Sequence, residues 1–329
     1  MKRRAFITLL GGAAAWPLAA RAQPSTSPPK RPLIGFLAGG SKVVNERYYS
    51  GFPEGMRAFG YLEGRDYAFE GRYAEGDRTR LPLLAEELVR LRPDIVLAGP
   101  TVAVLAANKA MANVPIVGIN MTDPVGLGLV ASEARPGSNV TGILTRVEGL
   151  PGKQLEIAHD LLPAVGKIGV LVNPNDPSTA VQQRETEAAA AKFGFSLVRA
   201  EARAPGELGA AFELFARERV DIVVVFGDVM FIAARRQIAA FALVARLPTI
   251  YNFREHVEDG GLICHGINLR ENYRRGAYFV DRILKGEKPA NLPIEFPTKL
   301  ELIINLATAR ALGLAVPPTL LARADEVIE

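Results

Sequence analysis

The chain has 329 residues, of which 49% are hydrophobic and 22% charged, with a formal net charge of +4. That is an ordinary balance for a globular chain able to form cores, and the length predicts two domains. The excess charge sits at the start. Removing residues 1–22 takes away Lys2, Arg3, Arg4 and Arg21 and no acid, leaving 35 basic against 35 acidic residues, a mixed-sign balance that argues against nucleic acid as the partner.

Residues 1–22 read as an export signal. Lys2-Arg-Arg is a charged start, Leu9 to Ala19 is apolar, and Ala20-Arg-Ala22 is an A-x-A cleavage site. The apolar run falls short of the roughly 18 residues a membrane span needs, and Pro17 interrupts it. Arg3-Arg4 followed by Phe6 fits the twin-arginine route, with an ordinary secretory signal as the alternative. The expected location is the periplasm, and the expected product is a soluble monomer. Gln23–Pro32 is Pro- and Ser-rich and predicts a disordered leader.

The predicted elements then alternate strand and helix. Leu33–Ala38 is a strand, Asn45–Phe59 a helix, Tyr67–Tyr73 a strand and Thr79–Leu91 an amphipathic helix. Ile95-Val-Leu-Ala is a short apolar strand ending at Gly99-Pro100. An Ala-rich helix follows over Thr101–Ala112, and Ile116–Ile119 is the next strand. Val140–Ile143 reads as the first crossing into a second lobe. There Leu150–Leu162, Ser178–Phe193 and Gly206–Arg219 are helices, and Lys167–Val172 and Ser196–Ala200 are strands. Leu262–Asn268 and Leu292–Asn305 carry the second and third crossings, with the helix Glu271–Leu284 between them.

The pattern occurs twice. Asp94-Ile-Val and Asp221-Ile-Val open equivalent strand–helix–strand units, and Ile34-Gly-Phe-Leu matches Ile168-Gly-Val-Leu. Such units pack as right-handed parallel crossovers. The expectation is an α/β chain of two doubly wound parallel-sheet lobes joined by a multi-strand hinge. Lobe one takes 33–142 with about 268–290, and lobe two takes 143–267 with about 291–329.

Several runs carry a family likeness: the signal itself, Thr122-Asp-Pro-Val-Gly-Leu-Gly-Leu-Val, Pro136-Gly-Ser-Asn-Val-Thr-Gly142, Val170-Leu-Val-Asn-Pro-Asn, Ile283-Leu-Lys-Gly-Glu-Lys-Pro-Ala and Ala322-Arg-Ala-Asp-Glu-Val-Ile-Glu. Together they resemble the periplasmic substrate-binding proteins of ABC importers, in the branch with tryptophan- and tyrosine-binding members. The resemblance implies the type I periplasmic-binding-protein fold, an inner-membrane ABC permease as partner, and a small-molecule solute in the cleft.

In open parallel sheets, ligands sit beyond the carboxyl ends of the strands. The candidate ligand-binding residues are therefore Gly39, Ser41, Gly99, Thr101, Thr122 and Asp123 in lobe one. In lobe two they are Asn173, Asp176, Phe226, Asp228, Tyr251 and Phe253. Ser41 and Thr101 either hydrogen-bond a ligand carboxylate, beside free helix N–H groups, or simply cap their helices. Asp228, matched to Pro100 in the repeat, either binds a ligand ammonium or caps the helix from Val229. Asp123 before Pro124 has the stronger reading of a helix start. Phe226, Phe231, Tyr251 and Phe253 are candidates for an aromatic wall, Phe231 more simply for core. Tyr48 and Tyr49 are placed at the lip of lobe one, Tyr48 as the better core candidate.

Enzyme signals are poor. G-x-S-x-G, H-E-x-x-H, a phosphate loop and G-x-G-x-x-G are all absent from the sequence. No cofactor or metal is implied. His159, His256 and His265 lack a plausible ligand set, and the lone Cys264 reads as core and cannot supply the two thiols of a two-lobed racemase. DNA-binding regulators share this body but carry a helix-turn-helix where this chain has an export signal. The reading is an exported solute receptor for an amino acid or an aromatic or carboxylate compound, with a sensor-coupled receptor and a secreted α/β enzyme as alternatives.

Overall fold

The structure, a computed structural model, describes residues 31–329. The expected export signal and most of the expected leader lie outside the described residues. Pro32–Glu329 forms one compact unit built on two sheets. The first contains β1 (Leu33–Ala38), β2 (Ala68–Tyr73), β3 (Ile95–Gly99), β4 (Ile116–Met121) and β5 (Val140–Leu144). All five are parallel, in the order β2-β1-β3-β4-β5. Its crossovers are α1 (Lys42–Tyr49), α2 (Gly51–Ala58), α3 (Leu81–Leu91) and α4 (Thr101–Ala110). β3 and β4 are buried along their whole length, as strands covered on both faces must be.

The second sheet contains β6 (Lys167–Val172), β7 (Ser196–Glu201), β8 (Ile222–Val225), β9 (Thr249–Tyr251), β10 (Ile263–Ile267), β11 (Leu300–Asn305) and β12 (Glu326–Ile328), in the order β12-β11-β10-β9-β8-β6-β7. With it run α5 (Leu150–Leu161), α6 (Thr179–Phe193), α7 (Leu208–Glu218), α8 (Val229–Ala233), α9 (Arg235–Val244) and α10 (Arg254–Glu258). The next helix, α11 (Leu269–Leu284), follows β10 but packs on α2, β4 and β5 of the first lobe. α12 (Leu306–Leu312) and α13 (Pro318–Leu321) return to the second. Because the chain leaves and re-enters between β10 and β11, those two strands pair antiparallel, the one such pair among the described strands. The architecture is the type I periplasmic-binding-protein fold.

The repeated Asp-Ile-Val has a physical cause. The Asp94 carboxylate accepts from the backbone N–H of Leu33 at 2.8 Å, pinning the start of β1 beside β3. Asp221 does the same for Lys167 and Gly166 at the start of β6, at 2.8 and 2.9 Å. The strand registers pair Ile34 with Ile95 and Ile168 with Ile222. Counted from them, Asp228 is the counterpart of Thr101 and not of Pro100, one residue from the expected match.

Val140–Leu144 is a full member of the first sheet, paired with β4 as far as Met121 and Leu144. The first crossing therefore follows it, over 145–149, and the expected boundary at 142 falls inside a strand. The segment leading into the third crossing runs beside the end of β5: the Leu144 N–H donates to the Glu295 carbonyl and the Glu295 N–H to the Gly142 carbonyl, both at 2.9 Å. The helix expected over 45–59 is two helices. The Ser50 hydroxyl, between them, donates to the Arg47 carbonyl at 2.7 Å and accepts from Arg270 at 3.1 Å.

α11 comes close to α2 because Gly51 and Gly55 face it. A Cβ on either would stand 2.3 Å from a backbone oxygen of α11, Arg270 or Arg274. Gly55→Val forces these helices apart and is expected to destabilise by about 2–3 kcal/mol, as overpacking does. Thermal melting of the variant measures this, and an unchanged transition would contradict the packing.

Behind β9, His256 stacks on Tyr251 with centroids 4.5 Å apart, and neither ring nitrogen is hydrogen-bonded within the described residues. Burial pushes its pKa from 6.5 down to about 3. The unfolded chain takes up this proton in that window and the folded chain does not, so acidification removes stability. Burial pushes the neighbouring Glu255 from 4.5 up to about 7. The folded state holds that proton longer than the unfolded one, so here stability is lost as pH rises and regained on acidification. Between about pH 7 and about pH 4 the melting temperature of His256→Phe is expected to fall less than that of wild type, and that of Glu255→Gln to fall more. Parallel pH profiles for all three proteins would refute this.

Candidate functional site

The carboxyl ends of the two sheets face each other across a cavity. The space open to the centre of a water-sized sphere is about 140 Å³; one water needs roughly 10–15 Å³ on that measure, so a small organic molecule has room. Lobe one contributes Pro100, Thr101, Asn120 and Thr122 from the ends of β3 and β4, with Tyr48 from α1 and Tyr273 from α11. The crossings add Thr145, Arg146, Val147 and Ile267. Lobe two presents one face of α6: Ser178, Val181, Gln182, Glu185 and Thr186 recur at spacings of three, one, three and one, as a single side of a helix does. Phe226 and Phe253, at the ends of β8 and β9, add apolar surface.

The polar lining is held by its own hydrogen bonds. Gln182 Oε1 accepts from the Gly227 N–H at 2.9 Å and Nε2 donates to Ser178 at 2.8 Å. Gln154 Nε2 donates to Asn252 and to the His265 carbonyl, both at 2.9 Å. Thr101 accepts from the Thr122 N–H at 2.8 Å, and the Thr122 and Thr145 hydroxyls meet at 2.9 Å. Other polar atoms have no partner among the described residues: Gln154 Oε1 and the Tyr48 and Tyr273 hydroxyls. All three residues are buried and line the cavity. Burial raises both tyrosine pKa values, keeping the hydroxyls protonated as donors.

One cation spans the lobes at the other side of the cleft. Arg78, which opens the short 3₁₀ helix Arg78–Arg80 after β2, donates to the Asn175 carbonyl at 2.8 Å and to the Asp176 and Asp228 carboxylates, each at 3.0 Å. Asp228 is 4% exposed. Its Oδ1 accepts from the Met230 and Phe231 N–H groups, and its Oδ2 from Arg78 and Asn173. A carboxylate has about four acceptor positions, and here all are in use. Burial and the neighbouring Asp176 raise the Asp228 pKa, while Arg78 and Asn173 oppose them. The cap expected of this residue is present, and no acceptor is left for a ligand ammonium.

Of the twelve expected residues, Thr101, Thr122, Asp176, Phe226, Asp228 and Phe253 line the cavity. Gly39 and Asn173 line a second hollow beyond Arg78. Gly99 is buried, with its carbonyl on the Gly39 N–H at 3.1 Å, and Ser41 turns its carbonyl to Asn45. Asp123 starts no helix: it has a positive φ of 48° and its carboxylate closes a turn onto the Gly126 N–H at 3.0 Å. Tyr251 is fully buried core, as is Phe231. Tyr49 packs among Phe36, Phe52 and Phe69. Arg78, Arg146, Gln154, Gln182, Glu185 and Tyr273 were not anticipated. The α6 face was within reach of helical spacing; Tyr273 was not, because only the second crossing brings α11 to the cleft.

Among the described residues no group of three His, Cys, Asp or Glu side chains is placed to hold a metal ion, and no helix is long and apolar enough to cross a membrane.

The sequence is 26% identical over 265 residues to the tyrosine-binding protein of Clostridioides difficile strain R20291, covering 80% of this chain and 76% of that one. A conserved domain protein from Vibrio cholerae superposes with a TM-score of 0.85 at 28% identity, covering 91% of this chain and 100% of that one. An ABC domain from Streptococcus pneumoniae in complex with L-Trp also gives 0.85, at 25% identity and the same coverage. The ligand-free, open structure of a substrate-binding protein with adhesive properties from Clostridium difficile gives 0.69 at 25% identity, covering 90% of this chain and 99% of that one. The family model for ABC transporter substrate-binding proteins matches residues 42–328, and the chain belongs to that family.

Proposed function

We propose that this protein is the exported receptor of an ABC importer, closing its lobes on one small aromatic amino acid and passing it unaltered to an inner-membrane permease. The observation that carries the reading is the cavity between the sheets, apolar along Phe226 and Phe253 and studded with unpartnered polar atoms on Gln154, Tyr48 and Tyr273. The residues that carry them line the cavity, where a polar solute can hydrogen-bond to them. Two relatives support an aromatic amino acid as the solute, one a tyrosine-binding protein and the other a complex with L-Trp. At equal identity the superposition is closer on the L-Trp complex than on the open, ligand-free structure, which supports a closed form here. The export signal expected at residues 1–22, with cleavage after Ala22, supports a periplasmic location by the twin-arginine route. No catalytic role is assigned.

Calorimetry with L-tyrosine, L-tryptophan and L-phenylalanine is expected to give one site per chain for at least one of them, and mass spectrometry of the mixture to show no product. Absence of binding across aromatic amino acids and aromatic acids, or conversion of one, would reject the reading. Arg78→Ala leaves the buried Asp228 carboxylate without its cation in the closed form. Solute affinity is expected to fall by about 1–3 kcal/mol, the cost of an unsatisfied buried group. Unchanged affinity would rule out Arg78 as a closing contact.

A further inference from the structure

We propose that Arg146 and Glu185 form a clamp for the charged end of an α-amino acid, the guanidinium taking its carboxylate and the Glu185 carboxylate its ammonium. The proposal rests on the solute reading above and assigns the residues that hold the solute's charged end. Both side chains line the cavity. Arg146 lies on the first crossing and Glu185 on the cleft face of α6. Arg146 Nη1 stands 3.9 Å from Glu185 Oε1, beyond hydrogen-bond range. The guanidinium is already oriented: Nη2 donates to Glu133 at 3.2 Å, and the group lies 5.4 Å from the Phe296 ring centroid. Glu185 accepts no hydrogen bond from any described residue, whereas the other acids of the wall, Asp176 and Asp228, are held by Arg78. Desolvation raises the Glu185 pKa, with Arg146 and Arg184 opposing it and Glu148 adding to it. A fixed cation beside a carboxylate with spare acceptors suits a zwitterion. Each ligand charge gains a charge-assisted bond, and a planar guanidinium can take a carboxylate with two.

A half-buried ion pair can also be a structural bridge, so the test must separate that role from ligand recognition. L-tryptophan, tryptamine and indole-3-propionate, with the matching tyrosine series, are titrated into wild type, Glu185→Gln and Arg146→Gln. The readout is the ratio of affinities within one preparation, in which any shared loss from folding cancels. Glu185→Gln is expected to weaken the amino acid at least tenfold while leaving the propionate within threefold of wild type. Arg146→Gln is expected to weaken the amino acid and the propionate at least tenfold. Equal loss of every probe, or no loss of any, overturns the clamp while the solute reading stands. A wild-type protein that binds none of the probes overturns that reading and the clamp with it.

Discussion

The backbone passes between the two sheets three times, over 145–149, around Asn268 and over 296–299, and the first and third leave lobe one side by side, where β5 and Glu295 are hydrogen-bonded to each other. Lobes joined this way cannot separate; they can only rotate about the crossings. The strand ends that face each other must then tolerate water when the lobes are apart and a solute when they are together. The lining meets both demands. Gln182, Asn252 and Gln154 of lobe two bond to one another and, through the two glutamine amides, to lobe-two carbonyls, and the Thr101–Thr122–Thr145 chain lies on the lobe-one side. Rotation breaks few of these bonds.

Beside the apolar packing of Ile232 and Phe253 onto the lobe-one cluster, several ionic contacts span the cleft. Arg78 reaches Asp176 and Asp228, Arg47 pairs with Glu258, and Arg146 faces Glu185. Ion pairs exchange readily for hydration, so they guide closure without locking it. The Arg78–Asp228 contact is the exception in weight, because one partner is buried. Asp228 thus has two duties at once, capping α8 and receiving the lobe-one cation, and these exhaust its acceptors.

Much of the scaffold was legible in the sequence because local chemistry repeats. Asp94 and Asp221 each open a strand and pin its neighbour, and the glycine and proline turns after β3 and β8 mark strand ends. The lobe boundary at 142 was misplaced because β5 is as apolar as a crossing strand; only its pairing with β4 identifies it. Half of the expected site residues reach the cavity: Thr101, Thr122, Phe226 and Phe253 within two residues of a strand end, and Asp176 and Asp228 from the loops after β6 and β8. Gly39, Gly99 and Tyr251 sit one position too deep, and Asp123 is absorbed by a turn. Arg78, Arg146 and Tyr273 depend on the placement of long-range elements, which spacing along the chain does not encode.

The central claim is that the lobes rotate to enclose a solute. Its most direct test is the distance between spin labels placed one on each lobe, with Cys264 left in place because it is fully buried and burial raises its thiol pKa. Addition of a bound aromatic amino acid is expected to convert a broad or long distance distribution into a single short one. An identical distribution with and without the solute would contradict the account.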